Sequence, residues 1–109
     1  MARIQDESLF RQVCETFVRD APDRVASIRG ALDRGRPADA AVSAHALKAA
    51  AANVGAEQCR MVAAELERQA RRGDGAEVRA VLPLFEDAWH QFREALAAVG
   101  WGGGNPEVP

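Results

Sequence analysis

The chain has little from which to build a sheet. Only 6% of its 109 residues are aromatic and β-branched residues are sparse, and these are the types that suit a pleated, half-buried surface. Long apolar runs are missing too. Charges interrupt every hydrophobic stretch, which argues against a segment able to cross a bilayer. Basic excess is absent: the net charge is −2, so no face of the kind that nucleic acid needs is implied. The opening residues, 1–7, lack the apolar segment of a secretory signal. No glycine-rich phosphate loop or kinase signature occurs, and no set of ligands has metal-site spacing. Only two cysteines are present, Cys14 and Cys59, both at apolar helical positions and far apart. They read as small buried hydrophobes carrying reduced thiols, and a cytoplasmic location is the expectation that follows.

What is abundant is alanine. Hydrophobic residues make up 48% of the chain, and the alanine share of them favours closely packed helices. The length suits one domain. Apolar spacing and caps predict five helical segments. The first covers about 7–19, with Leu9, Phe10, Val13, Cys14 and Phe17 on one stripe and Asp6 as N-cap. A second restarts at Asp20 with Pro22 in its first turn, carries Val25, Ile28 and Leu32, and fades at Gly35. Pro37 opens the third, Asp39 complements its N-terminal dipole, and Gly55 ends it. The fourth covers about 56–72 with Cys59, Val62, Ala63, Leu66 and Ala70 inward, and Arg68, Arg71 and Arg72 suit its C-terminus. Asp74 and Glu77 then form a capping box. The fifth helix carries Val78, Leu82, Phe85, Trp89, Phe92, Leu96 and Val99, alternating in steps of three and four, which is a bundle seam. Pro83 is expected to bend it or delay its first regular turn.

Short connections make the last four helices antiparallel neighbours. The expected fold is all-α: an up-down four-helix bundle over residues 1–99 with a short extra N-terminal helix covering one end. Residues 100–109 read as a flexible tail, in which Trp101 either folds back on the bundle or lies free.

The third helix holds the chemistry. Residues three and four apart share a helix face, so Ala41, His45, Lys48, Ala49 and Ala52 line one side. Ala40, Ala44, Leu47, Ala51 and Val54 line the other, and their bulk marks it as the buried one. The only long side chains on the water-facing side are therefore an imidazole and an ammonium, one turn apart on a flat alanine surface. A hairpin folded at Gly55 sets His45 opposite Glu65, Leu66 and Glu67. Leu66 belongs to the core stripe, and of the two carboxylates Glu67 is favoured as the one that reaches the ring. A carboxylate that accepts from Nδ1–H fixes the tautomer and leaves Nε2 with a free lone pair, as a nucleophilic histidine requires. Trp89 and the phenylalanines read as core, and His90 as a residue at the core boundary.

The run Ala44-His45-Ala46-Leu47-Lys48, followed by Asn53-Val54-Gly55-Ala56 and Leu66-Glu67, resembles the histidine-containing phosphotransfer (HPt) domain family over nearly the whole domain. The resemblance implies a phosphorelay carrier in two-component signalling. His45 would be the phosphoacceptor on Nε2, Lys48 would steady the phosphoryl group and Glu67 would orient the imidazole. Ala41, Ala49 and Ala52 would frame the partner-binding face. The partners implied are response-regulator receiver domains and a sensor or hybrid histidine kinase, with no cofactor of the domain's own and magnesium supplied by the receiver. A monomer that is not itself an enzyme and that binds neither nucleic acid nor membrane is expected. Two other readings share the pattern: a helical docking module that has lost transfer, and the phosphoacceptor domain of a chemotaxis-type kinase. The chain departs from the family in carrying Ala49 where glycine is usual four residues after the histidine, and Ala50 and Ala51 where serine is often found. Alanine strengthens the helix by up to about 1 kcal/mol over glycine and puts a methyl group beside His45, which bears on partner choice.

Overall fold

A computed structural model describes residues 2–101, with side-chain surroundings from residue 7 onward. Four helices follow one another: α1 (Ala2–Asp33), α2 (Ala40–Val54), α3 (Glu57–Arg71) and α4 (Gly75–Ala98), with a 3-10 turn at Pro37–Asp39 leading into α2. No strand occurs among the described residues. Each helix packs on the next, and α4 closes back on α1. Arg29 pairs with Glu86 at 2.8 Å and Asp33 with Arg79 at 3.0 Å, while Phe17 meets Phe92 edge-on at 5.6 Å. Partners that climb along α1 as they descend along α4 make these two helices antiparallel.

The fold class is as expected, but the extra N-terminal helix is not a separate element. The two segments predicted on either side of Pro22 are one helix of 32 residues, and Asp6, expected as an N-cap, lies within it. A proline inside a helix withholds the N–H that would bond the carbonyl four residues earlier. Here that carbonyl belongs to Val18, and it accepts instead from the Trp89 indole N–H of α4 at 3.2 Å. Ala21 and Val25, on either side of the proline, are buried. Tertiary packing thus supplies the hydrogen bond that the sequence removes locally. Pro83 is likewise carried inside α4.

A helix of this length spans about 48 Å, whereas a 15-residue partner spans about 22 Å. The first turns of α1 therefore run past α2. That is why Leu9, Phe10 and Val13, predicted inward, are 61%, 43% and 39% exposed, while Cys14 and Phe17 on the same stripe are buried. Val99, expected in the seam of the last helix, is also exposed because α4 ends one residue before it. Gly100 takes a left-handed conformation (φ 82°), Trp101 N–H donates to the Leu96 carbonyl, and the Trp101 ring packs edge-on against Phe10 at 5.9 Å. Of the two placements open to Trp101, it takes the folded-back one. Residues 102–109 of the expected tail lie outside the described residues.

The core runs through Ile28, Leu47, Leu66, Val78, Leu82 and Phe85, with Cys14 and Cys59 buried as free thiols. Between α2 and α3 it is built from Ala44, Ala51, Ala63 and Ala70, all fully buried. Small side chains here let the two backbones approach closely. Gly55 closes the hairpin at φ 71°, and the next residue, Ala56, donates its N–H to the Ala51 carbonyl at 2.9 Å. That is the left-handed helix cap that glycine takes without strain. Asp74 caps α4, accepting from Glu77 N–H at 3.0 Å.

The Val18–Trp89 bond generates a prediction. Trp89→Phe removes the indole donor to that carbonyl, and should cost about 1–2 kcal/mol, read as a lower urea midpoint with unchanged slope. In a Pro22→Ala background the backbone N–H at position 22 is restored, so the same substitution should cost markedly less. Equal penalties in both backgrounds would show that Trp89 contributes by packing alone.

Candidate functional site

The alanine composition of α2 decides which way its two long polar side chains point. Ala40, Ala44, Leu47, Ala51 and Val54 are buried against α1 and α3, as their spacing predicts. The opposite face therefore opens to water. His45, Ala49 and Ala52 are exposed there, and Ala41 and Lys48 are half-buried. The surface around the imidazole is low: beside it on this helix stand the methyl groups of Ala41 and Ala49, with Lys48 one turn on and the exposed Val42 side chain one turn back.

The hairpin sets α3 against this face, and Leu66 turns into the core at 0% exposure. Its neighbour Glu67 is buried as well, at 5%, and this is unusual for a carboxylate. A buried charge is tolerated only when it is paired and hydrogen-bonded. Both Glu67 oxygens are so satisfied. Oε1 accepts from the Lys48 ammonium at 2.8 Å. Oε2 faces His45 Nδ1 at 3.0 Å and accepts from the Arg71 guanidinium at 2.5 Å and 3.1 Å. The Lys48 hydrogen bond, with those from Arg71 and His45, overcomes the cost of burial and holds the Glu67 carboxyl down to about 2.

The ring's tautomer follows from this. Near neutral pH Glu67 is ionised, so it only accepts. Nδ1 must then carry the proton and donate it. In the neutral ring this leaves Nε2 with its lone pair, and Nε2 meets no partner among the described residues. The His45 side chain is 59% exposed. The arrangement is an outward imidazole held at Nδ1 and open at Nε2, with Lys48 one helical turn away.

Of the two carboxylates opposite His45, Glu65 is engaged elsewhere, by Arg68 and Gln69. Arg71 is the member of the cluster that sequence reasoning missed. Its place in the last turn suits a cation at the C-terminus of its helix, yet Arg71 also stands four residues after Glu67 and so shares its face. His90 is exposed on α4, with its ring against Trp89. Among the described residues no cluster of three His, Cys, Asp or Glu side chains is placed to hold a metal ion.

Comparison with known families matches residues 12–100 to the Hpt domain. The chain belongs to the Hpt domain family. No curated protein and no solved structure matches it. Hpt domains are phosphocarrier modules rather than catalytic enzymes, so this one has a histidine phosphotransfer role in two-component signalling and interacts in general terms with receiver domains and histidine kinases. Among the described residues of this Hpt domain no helix is long and apolar enough to cross a membrane.

The Glu67 pairing generates a pH prediction. Its carboxyl lies lower in the folded protein, at about 2, than its ordinary value of 4.5. The pairing therefore stabilises the fold fully above that ordinary value, and the stabilisation is lost as pH falls towards the folded one. Glu67→Gln should cost about 1–2 kcal/mol at pH 7, since its former partners are partly exposed and can turn to water. The gap between wild type and variant in urea unfolding should close between about pH 4.5 and 2. A gap that stays constant over this range would mean that the charge of Glu67 contributes nothing.

Proposed function

We propose that the domain relays phosphoryl groups through Nε2 of His45, taking them from and giving them to aspartates of receiver domains, or receiving them from a sensor or hybrid histidine kinase. The observation that carries this reading is the exposed imidazole whose Nδ1–H is held by a buried, ionised carboxylate. In the forward step the Nε2 lone pair attacks the phosphorus of an aspartyl phosphate in line. The N–P bond forms as the P–O bond breaks, and the electron pair returns to the aspartyl carboxylate. No proton has to move. The ring keeps its Nδ1–H, becomes positively charged, and shares that charge with Glu67.

Glu67 is the orienting group in this scheme, and it stabilises the charged ring. Lys48 is a compact, mobile cation on a flexible stem, one turn from His45, and its role is to neutralise the incoming phosphoryl oxygens. Ala41, Ala49 and Ala52 form the flat surface on which a receiver domain settles, and their small size lets its phosphoaspartate come within bonding distance of the ring. Magnesium and the catalytic geometry belong to the receiver. The domain is a monomeric carrier in this reading, working in a reducing cytoplasm that keeps Cys14 and Cys59 as thiols.

The test is direct. Incubated with a receiver domain that has been phosphorylated by acetyl phosphate, the domain should gain a label that is acid-labile and base-stable. His45→Gln should abolish it, and persistence of the label would refute the assignment. Binding of the receiver without any exchange would instead mark a docking module. Lys48→Ala should slow transfer about tenfold, equivalent to ~1.4 kcal/mol in the barrier, with an unchanged circular dichroism spectrum. Equal rates would remove Lys48 from the mechanism.

A further inference from the structure

Glu67 has more partners than the orientation of one ring requires, and they are unequally placed. Lys48 sits on the same helix as His45 and bonds Oε1. Arg71 sits on the same helix as Glu67 and bonds Oε2, the oxygen that also faces His45 Nδ1. The ammonium makes a single contact at the end of a flexible stem, whereas the guanidinium sets two N–H groups on one oxygen in a fixed planar fork. Before any phosphoryl group arrives, then, the cation proposed to receive it is already bound to the carboxylate.

That creates a conflict which the relay reading must resolve. A phosphoryl group on Nε2 carries a charge of about −1.5 to −2, more than the single charge of Glu67, so it competes for Lys48. If Lys48 leaves, Oε1 of a buried carboxylate loses its donor. With the ring as its sole remaining partner, Glu67 would be an under-compensated buried charge, free to shift or to take up a proton. Either outcome releases Nδ1–H and with it the orientation of the ring. Arg71 offsets this loss, because its two N–H groups bond Oε2 and not the oxygen that Lys48 would vacate, and it shares the helix of Glu67.

We infer that Arg71 is a positioning residue of the transfer site: it keeps Glu67 on Nδ1–H of His45 while Lys48 leaves the carboxylate for the phosphoryl group. The two helices thereby divide the labour. α2 carries the nucleophile and the mobile cation, and α3 carries the anchor and its fixed cation. The inference rests on the relay reading, but it is separable by experiment.

The Nδ1–H signal of His45 in nitrogen-edited NMR spectra reads the holding role without any phosphorylation. Lys48→Met imitates the departure of the ammonium. The signal should persist in wild type, in Arg71→Gln and in Lys48→Met, and be lost in the double variant. Its survival in the double variant overturns the inference, as does its loss in Arg71→Gln alone, which would give Arg71 a general structural role. Phosphoramidate then serves as a small donor: its P–N bond breaks, ammonia leaves, and the N–P bond forms at His45. In the phosphorylated protein Arg71→Gln should lose the Nδ1–H signal that the unphosphorylated variant retains. Transfer onward to a receiver domain should show kcat lowered about tenfold with KM within about twofold, and Arg71→Lys should restore most of it. A raised KM with unchanged kcat would make Arg71 a docking contact instead. A wild type that phosphoramidate does not label overturns the relay reading and this inference together; normal labelling with a normal kcat in Arg71→Gln overturns the inference alone.

Discussion

The site is organised by one buried charge. Glu67 lies in the cleft between α2 and α3 at 5% exposure, and a carboxylate taken out of water must be met by donors on every side. Lys48, Arg71 and His45 meet it. Each of them is thereby fixed in relation to the others, although all three reach towards solvent. The imidazole is not held by its own packing, since most of its side chain is exposed. It is held by the need of Glu67 for a donor, and that need is what selects the tautomer. A neutral glutamine at this position would offer either an oxygen or an amide to Nδ1 and would lose the selection.

Getting a carboxylate into that cleft depends on the rest of the hairpin. Leu66 and Ala63 pack fully into the core, which fixes the rotation of α3, while Ala44, Leu47 and Ala51 fix that of α2. With alanine at the contact the helix axes come close, so short reaches from either side meet. Larger side chains in place of Ala44 or Ala63 would drive the helices apart and strand Glu67 without its partners, before any residue of the site had changed. The turn at Gly55 sets the register: ten residues back is His45 and twelve forward is Glu67. A single inserted residue in that turn would rotate the carboxylate out of the cleft.

Much of this was legible in the sequence. Apolar periodicity separated the buried from the open side of α2, and counting outward from Gly55 set Glu65, Leu66 and Glu67 opposite His45, with Glu67 the favoured carboxylate. Three things were not legible. The continuity of α1 through Pro22 depends on Trp89, a donor supplied from α4, and local rules for proline carry no information about such a distant hydrogen bond. The exposure of Leu9, Phe10 and Val13 depends on the length of α1 relative to α2, which a stripe of apolar residues does not encode. Arg71 was visible as the fourth residue after Glu67, but a cation near the end of a helix already has a local explanation in the helix dipole. The stronger pairing showed only once Glu67 was seen to be buried.

The charges of the cluster also bear on why a carrier needs no catalytic apparatus of its own. At rest, with a neutral ring, Lys48 and Arg71 together outweigh Glu67 by one positive charge. In the proposed relay, arrival of the phosphoryl group adds close to two negative charges, and the ring gains a positive one when its Nε2 lone pair is used. The site thus passes from one excess positive charge to near neutrality, with no proton taken up or released. Neither end state is strongly trapped: the phosphorylated ring keeps its proton and so remains a competent leaving group for the return step. A site with a further cation would hold the phosphoryl group more firmly and release it more slowly. One lacking Arg71 would lose its hold on the ring when the group is present. A single buried carboxylate between two cations of unequal mobility satisfies both requirements, loading and unloading, with four side chains on two helices.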